Sequence, residues 1–160
     1  MIGHKKSAGI LPYRLRDGRL QVLLVHPGGP FWARKDSGAW SIGKGEYGDD
    51  ENPFEAALRE FEEETGHRPA GTFVPLEPIK MPSGKWVSAW AVDDAWDLTG
   101  FRSNKFPLEW PRGSGRMQAF DEVDKVQWLD LSEAATRIVP AQRGFLVQLA
   151  RQVLSQGLPG

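Results

Sequence analysis

The positions of apolar residues along the chain predict both strands and helices. Short segments rich in Leu, Ile, Val and aromatic residues, bounded by Gly, Pro or Asp, are typical of β-strands. Five segments have this character: residues 7–15, 20–26, 72–79, 85–92 and 123–129. Apolar residues at helical spacing predict three helices, over residues 53–65, 131–139 and 142–154. This order of elements predicts an α/β fold, an α-β-α sandwich around a mixed β-sheet.

The stretch over residues 96–116 has no clean period. It combines Gly, Pro and Ser with four cationic residues, and we expect a long loop that holds at most a short strand. No repeat and no linker interrupts the chain. Its 160 residues are therefore predicted to form a single domain, residues 1–160, with a substantial core.

Seven tryptophans are a high count for this length. Trp86, Trp90 and Trp128 lie in strand patterns and are predicted to pack in the core. Trp32 and Trp40 flank the loop after the second strand, where each either packs in the core, the favoured interpretation, or stacks on a base. The three histidines have no ligand spacing and are assigned no role.

Composition and charge exclude several classes of protein. Apolar residues make up 40% and charged residues 26%, which is typical of a globular protein. A net charge of -1 argues against a chain that coats nucleic acid, and we expect no stable nucleic-acid complex. The lack of cysteine excludes disulfides, thiolate metal sites and a cysteine nucleophile. The apolar run over residues 22–25 is far too short for a membrane span, and no secretory segment is recognised, so a cytoplasmic location is expected.

The charge is unevenly distributed along the chain. Residues 44–67 contain nine acids and two bases, a net charge of -7, whereas the other residues carry a net charge of +6. Apolar residues recur at helical spacing within this acidic window, which argues against disorder. The window is therefore a solvated helix face or a cation site.

The predicted helix over residues 53–65 has clear start and stop patterns and two distinct faces. Asn52 is a suitable N-cap, Pro53 fits the first position of the helix, and Gly66 is suited to end it. One stripe is apolar, and three glutamates cluster on another side: Glu60, Glu63 and Glu64. Like charges at this spacing repel, and the helix dipole disfavours anions in the C-terminal half. A divalent cation bound by these carboxylates would explain the arrangement.

The spacing around this helix resembles the Nudix box, G-x5-E-x7-R-E-U-x-E-E-x-G-U, over residues 45–67. The matching residues are Gly45, Glu51, Arg59, Glu60, Phe61, Glu63, Glu64 and Gly66. His67 departs from the pattern, since the family has an aliphatic residue there. The chain is thereby identified as similar to Nudix hydrolases, and the strand pattern on both sides extends the resemblance more weakly to most of the sequence.

The resemblance implies a metal-dependent pyrophosphohydrolase. In the family, the glutamates that match Glu60, Glu63 and Glu64 bind Mg²⁺ or Mn²⁺, and a backbone carbonyl near Gly45 often adds a ligand. The arginine that matches Arg59 orients these carboxylates, and is commonly paired with the glutamate that matches Glu51. The reaction is the hydrolysis of a nucleoside diphosphate linked to another moiety.

Residues outside the box complete the expected site. Family members often take a further carboxylate from the loop before the last strand, and among Asp121, Glu122 and Asp124 we favour Glu122 as general base or metal ligand. Lys44 is expected to contact a phosphate. Arg34, on the loop that leads toward the site, is a weaker candidate for substrate binding.

The substrate class follows from a further similarity. Residues 40–46 are similar to the W-x-x-P-K-G run of members that act on diadenosine polyphosphates and related nucleoside polyphosphates, with Gly43 in place of the proline. A small nucleotide polyphosphate is therefore the expected partner. RNA 5′ ends, ADP-ribose or nucleotide sugars, and a non-catalytic nucleotide sensor are the alternatives, and the oligomeric state is left open.

Overall fold

The computed structural model describes residues 6–155. Its main sheet contains seven strands: β1 (Lys6–Arg16), β2 (Arg19–Pro27), β3 (Gly43–Glu46), β4 (Phe73–Pro75), β5 (Ile79–Lys80), β6 (Trp86–Asp93) and β9 (Val123–Asp130). A separate hairpin is formed by β7 (Lys105–Glu109) and β8 (Met117–Asp121). The helices are α1 (Pro53–Thr65), α2 (Leu131–Arg137) and α3 (Arg143–Ser155), with a 3₁₀ turn at Pro140–Gln142 before α3.

The main sheet is mixed, as predicted. Its strands follow the order β4-β6-β1-β2-β9, with β3 paired to β1 and β5 paired to β6. The pair β1 and β6 is parallel, and the other pairs are antiparallel. Because β1 is central and also pairs with β3, it brings the loop before α1 close to the middle of the sheet.

Helices cover both faces of this sheet. Neighbouring strand residues point to opposite faces: Ile10 joins a buried cluster with Phe61 of α1, whereas Leu11 joins a second cluster with Phe145 of α3. The α-β-α sandwich is therefore confirmed. Among residues 6–155, no helix has the length and apolar character that a membrane span requires.

Three segments differ from the predicted elements. The strand predicted over residues 72–79 is split into β4 and β5, because Pro75 and Pro78 offer no amide N–H to a ladder. Residues 96–116 contain one short strand, β7, as predicted, whereas its hairpin partner β8 was not predicted. Residues 43–46 form the strand β3, which the hydrophobic pattern did not predict.

The tryptophans divide differently from the prediction. Trp86 is 43% exposed and is not part of the core, since it lies at the start of β6. Trp90 and Trp128 pack at the edge of the cluster around Phe61, and Trp40 is buried. His4 lies outside the described residues. Both ends of the predicted domain also lie outside them, so the extent of the domain stays a prediction.

Candidate active site

Helix α1 is fixed at both ends and along one face. The Asn52 side chain accepts a hydrogen bond from the Glu55 amide at 3.1 Å, and Gly66 ends the helix with a φ of 78°. Glycine adopts this left-handed geometry with the least strain. Phe61 and Thr65 are fully buried against the sheet. The predicted cap, terminal glycine and buried face are confirmed, and they orient the glutamates of the box toward β3.

Two of these glutamates lie against the backbone of β3. Glu64 Oε1 accepts a hydrogen bond from the Lys44 amide at 3.1 Å. A Cβ atom at Gly45 would lie 2.0 Å from Oε2 of Glu60. Any other residue at position 45 would therefore displace the Glu60 carboxylate, which explains the need for glycine at the first position of the box.

Arg59 links three carboxylates beside the helix. Its Nη1 donates to Glu60 at 2.9 Å and to Glu63 at 3.3 Å, and its Nη2 donates to Glu51 at 3.0 Å. Glu51 also accepts a hydrogen bond from the Gly48 amide at 3.2 Å, which fixes the loop before the helix. The structure thus brings Arg59 together with Glu51, Glu60 and Glu63, and the role of Arg59 as the orienting group stays a prediction.

The connection between β8 and β9 places only one of its three carboxylates at the site. Glu122 lines a cavity together with Glu64 and Lys44. Asp121 instead pairs with Lys105 of the hairpin at 2.9 Å, and Asp124 forms a hydrogen bond with the buried His26 at 2.7 Å. The geometry therefore favours Glu122 over its neighbours, although its role as a general base stays a prediction.

The cavity has a volume of about 250 Å³ and two unlike ends. Lys44, Glu64 and Glu122 form its charged end, and the contact of Lys44 with a phosphate stays a prediction. Its other walls are largely apolar and include Trp32 and Met81, with Ser41 and Gln142 among the polar lining groups. Arg34 is exposed on the loop and is not among the lining residues, so its predicted part in substrate binding gains no support.

The charged end disfavours further negative charge. Burial raises the pKa of Glu64 to about 8, with a smaller opposing effect of the Lys44 ammonium. Burial and the nearby Glu63 carboxylate raise the pKa of both Glu60 and Glu122. Burial lowers the pKa of Lys44, and Lys85 lowers it further. A bound cation would relieve the cost of the ionised carboxylates.

In chelator-treated protein, the free energy of unfolding should fall as the pH rises from about 4.5 to about 8. Across this range the folded Glu64 carboxyl keeps a proton that the unfolded chain has released, since burial raises its pKa from 4.5 to about 8. The folded state then binds more protons, so this group's contribution to stability decreases by up to about 1.4 kcal/mol per pH unit. Urea denaturation of the wild type and Glu64→Gln, compared over this range, isolates the contribution.

Glu55→Gln is the matched control, because Glu55 is an exposed glutamate of the same helix. It should keep the slope of the wild type, whereas Glu64→Gln should lose part of it. Equal slopes in all three proteins would contradict the buried position of the Glu64 carboxylate.

The donor set fits a hard divalent cation without being a preformed site. Within residues 6–155, no three His, Asp or Glu side chains already have the spacing of a metal centre. Carboxylate oxygens are nevertheless the ligands that Mg²⁺ and Mn²⁺ prefer. The raised pKa values of Glu60 and Glu64 indicate carboxylates held close together and away from water, where a cation is the natural counter-charge.

Some parts of the site could not be found by sequence reasoning. Ser41, Met81 and Gln142 line the cavity from three separate segments, and no local motif connects them. Their apolar and uncharged side chains are also common in any core. His26, which was assigned no role, is 1% exposed and contacts Asp124 next to the site. His26 follows the apolar residues of β2, and their pattern gives no indication of this polar contact.

Comparison with known proteins identifies the family and the fold. The family model described as "NUDIX domain" matches residues 3–149, whereas no curated protein gives a match. A Caenorhabditis elegans Ap4A hydrolase, in a binary complex, is 20% identical, covers 94% of this chain and 98% of its own, and has a TM-score of 0.64. The NUDIX domain of Shewanella oneidensis NrtR, complexed with ADP ribose, is 17% identical, with coverages of 96% and 90% and a TM-score of 0.65. The Escherichia coli ORF135 protein is 23% identical, with coverages of 95% and 94% and a TM-score of 0.57.

Proposed function

This chain belongs to the Nudix family, and we propose that it hydrolyses a pyrophosphate bond in a nucleoside diphosphate linked to another moiety. The substrate that we favour is a nucleoside or dinucleoside polyphosphate. The observation that carries the proposal is that Lys44, Glu64 and Glu122 line one cavity beside the box helix. A cation and several carboxylates with raised pKa values are the groups that phosphoryl transfer to water needs.

We assign roles to the residues at the charged end of the cavity. Glu60, Glu63 and Glu64 would hold Mg²⁺ or Mn²⁺. Arg59 orients the carboxylates of Glu60 and Glu63 through its hydrogen bonds at 2.9 and 3.3 Å. When bound, such a cation neutralises phosphate charge and lowers the pKa of a water molecule. The carbonyl of Gly45 would be a further ligand, as the resemblance implies.

The remaining groups act on the substrate and the water. Lys44 binds a phosphate oxygen as a point charge. Glu122 accepts the proton of the attacking water while the new P–O bond forms and the bridging P–O bond breaks. Its raised pKa suits this task, because a general base is most effective when its pKa lies near the working pH.

The structural neighbours agree with this substrate class, although their low identities show the fold alone. One is named an Ap4A hydrolase and another holds ADP ribose. The two names correspond to the favoured substrate and to one of the alternatives.

A cytoplasmic location stays a prediction.

The proposed function is tested by measuring products over a nucleotide panel with Mg²⁺ or Mn²⁺. The panel contains diadenosine polyphosphates, nucleoside triphosphates, ADP-ribose, a nucleotide sugar and a triphosphorylated RNA. We expect the highest kcat/KM for a polyphosphate and no turnover with a chelator. A chain that binds nucleotides and forms no product from any of them would be a sensor, and the proposal would be wrong.

Addition of Mg²⁺ or Mn²⁺ should raise the Tm, since a ligand that binds only the folded state stabilises it. Glu63→Gln should reduce the rise, because it removes one carboxylate of the donor set. Glu62→Gln is the matched control, since Glu62 lies next to it in α1 and contacts Arg68 at 3.8 Å instead. Equal responses of the two variants in a thermal shift assay would remove Glu63 from the ligands.

A further inference from the structure

The loop between β2 and β3 carries two tryptophans in opposite environments. Trp40 is 2% exposed, and its indole N–H donates to Asp36 at 2.7 Å, so packing and hydrogen bonding explain it. Trp32 is 40% exposed and lines the cavity. Exposure of a large aromatic surface is unfavourable by itself, so the position of Trp32 at the cavity favours contact with a ligand.

The position of Trp32 is fixed by its own loop. Its amide donates to the Gly29 carbonyl at 3.3 Å, and its carbonyl accepts from the Lys35 amide at 2.9 Å. The Lys35 carbonyl in turn accepts from Nε2 of the buried His26 at 2.6 Å, while Nδ1 of that ring forms a hydrogen bond with Asp124 at 2.7 Å. Hydrogen bonds through His26 therefore connect the loop to β2 and β9, and the indole ring lies at the wall of the cavity.

The cavity is suited to a ligand with an anionic end and a flat apolar end. Lys44 lies at the charged end, and Trp32 and Met81 lie on the apolar walls. The Lys35 ammonium is 5.0 Å from the centroid of the Trp32 ring, and the ring lines the cavity. A base stacked on an indole ring gains affinity with little dependence on its identity.

We propose that Trp32 is the wall on which the nucleobase of the substrate stacks, and that it makes the site specific for nucleotides over base-free polyphosphates. This inference rests on the proposed function, because it assumes that the phosphates occupy the charged end of the same cavity. It makes Trp32 a specificity-determining residue that contacts the substrate.

The test compares two probes by calorimetry in buffer with Mg²⁺: adenosine 5′-(α,β-methylene)triphosphate, whose α,β bridge cannot be hydrolysed, and inorganic tripolyphosphate, which lacks a base. Trp32→Ala should weaken binding of the nucleotide by about 5- to 100-fold and leave tripolyphosphate binding unchanged. Trp32→Phe should restore most of the affinity, because it keeps an aromatic face. Trp86→Ala is the matched control, since Trp86 has a similar exposure of 43% and does not line the cavity.

Three results would overturn the inference. Equal losses for both probes would mean that Trp32 shapes the anionic end, and no loss for either would place the base elsewhere. A wild-type chain that binds the nucleotide no more tightly than tripolyphosphate would show that the wall contributes nothing. The proposed function fails on a different observation, which is the lack of products from the nucleotide panel.

Discussion

Glu122→Gln should lower kcat by about 10²–10⁴-fold, the usual contribution of a positioned general base, while the free energy of unfolding stays nearly constant. Glu122 is partly buried on a connection whose backbone is held by other groups: its amide donates to the Asn104 carbonyl at 2.8 Å, and its carbonyl accepts from the Gly28 amide at 2.9 Å. The amide side chain of glutamine keeps the size of glutamate and loses its negative charge and its ability to accept a proton.

The pH dependence of kcat distinguishes a base from a structural residue. A carboxylate with a raised pKa must be ionised to act, so the rate of the wild type should rise with pH through this pKa, and Glu122→Gln should lose that limb. Asp121→Asn is the matched control, because Asp121 precedes Glu122 and pairs with Lys105 away from the cavity. A normal kcat in Glu122→Gln would transfer the role to Glu46 or Glu51.

The box helix could be predicted to its end residues because every feature that defines it is local. The N-cap, the proline at the first position, the apolar stripe and the terminal glycine all lie within 15 residues, from Asn52 to Gly66. Such short-range features act in any fold. The same locality let the spacing of the glutamates indicate a cation site before their positions in space were known.

The elements that were missed depend on partners far away in the sequence. Strand β3 has two glycines and no hydrophobic alternation, and it exists because Gly43–Glu46 pairs with Ser7–Ile10 of β1. The hairpin of β7 and β8 is mostly exposed, so its sequence lacks a buried face that would reveal a strand. The uncharged walls of the cavity have the same origin, since only the fold brings Ser41, Met81 and Gln142 together.

Phe61→Ala should lower the free energy of unfolding by about 3–5 kcal/mol, the usual cost of truncating a buried phenylalanine. Phe61 is 0% exposed and belongs to the cluster between α1 and the sheet. Urea denaturation measures the loss. Phe31→Ala is the matched control, since that phenylalanine is 57% exposed and should cost far less.

A double-mutant cycle tests whether this ring also supports the strand that carries Lys44. A Cβ atom at Gly43 would lie 2.7 Å from Cδ2 of Phe61, so Gly43→Ala should destabilise the wild type by forcing the ring to move. In the Phe61→Ala background the ring is absent and the added methyl group has room. The cost of Gly43→Ala should therefore shrink by about 0.5–3 kcal/mol, the range for residues in contact. Additive costs would contradict this contact. They would also contradict our interpretation that the core face of α1 sets the distance between Glu64 and β3.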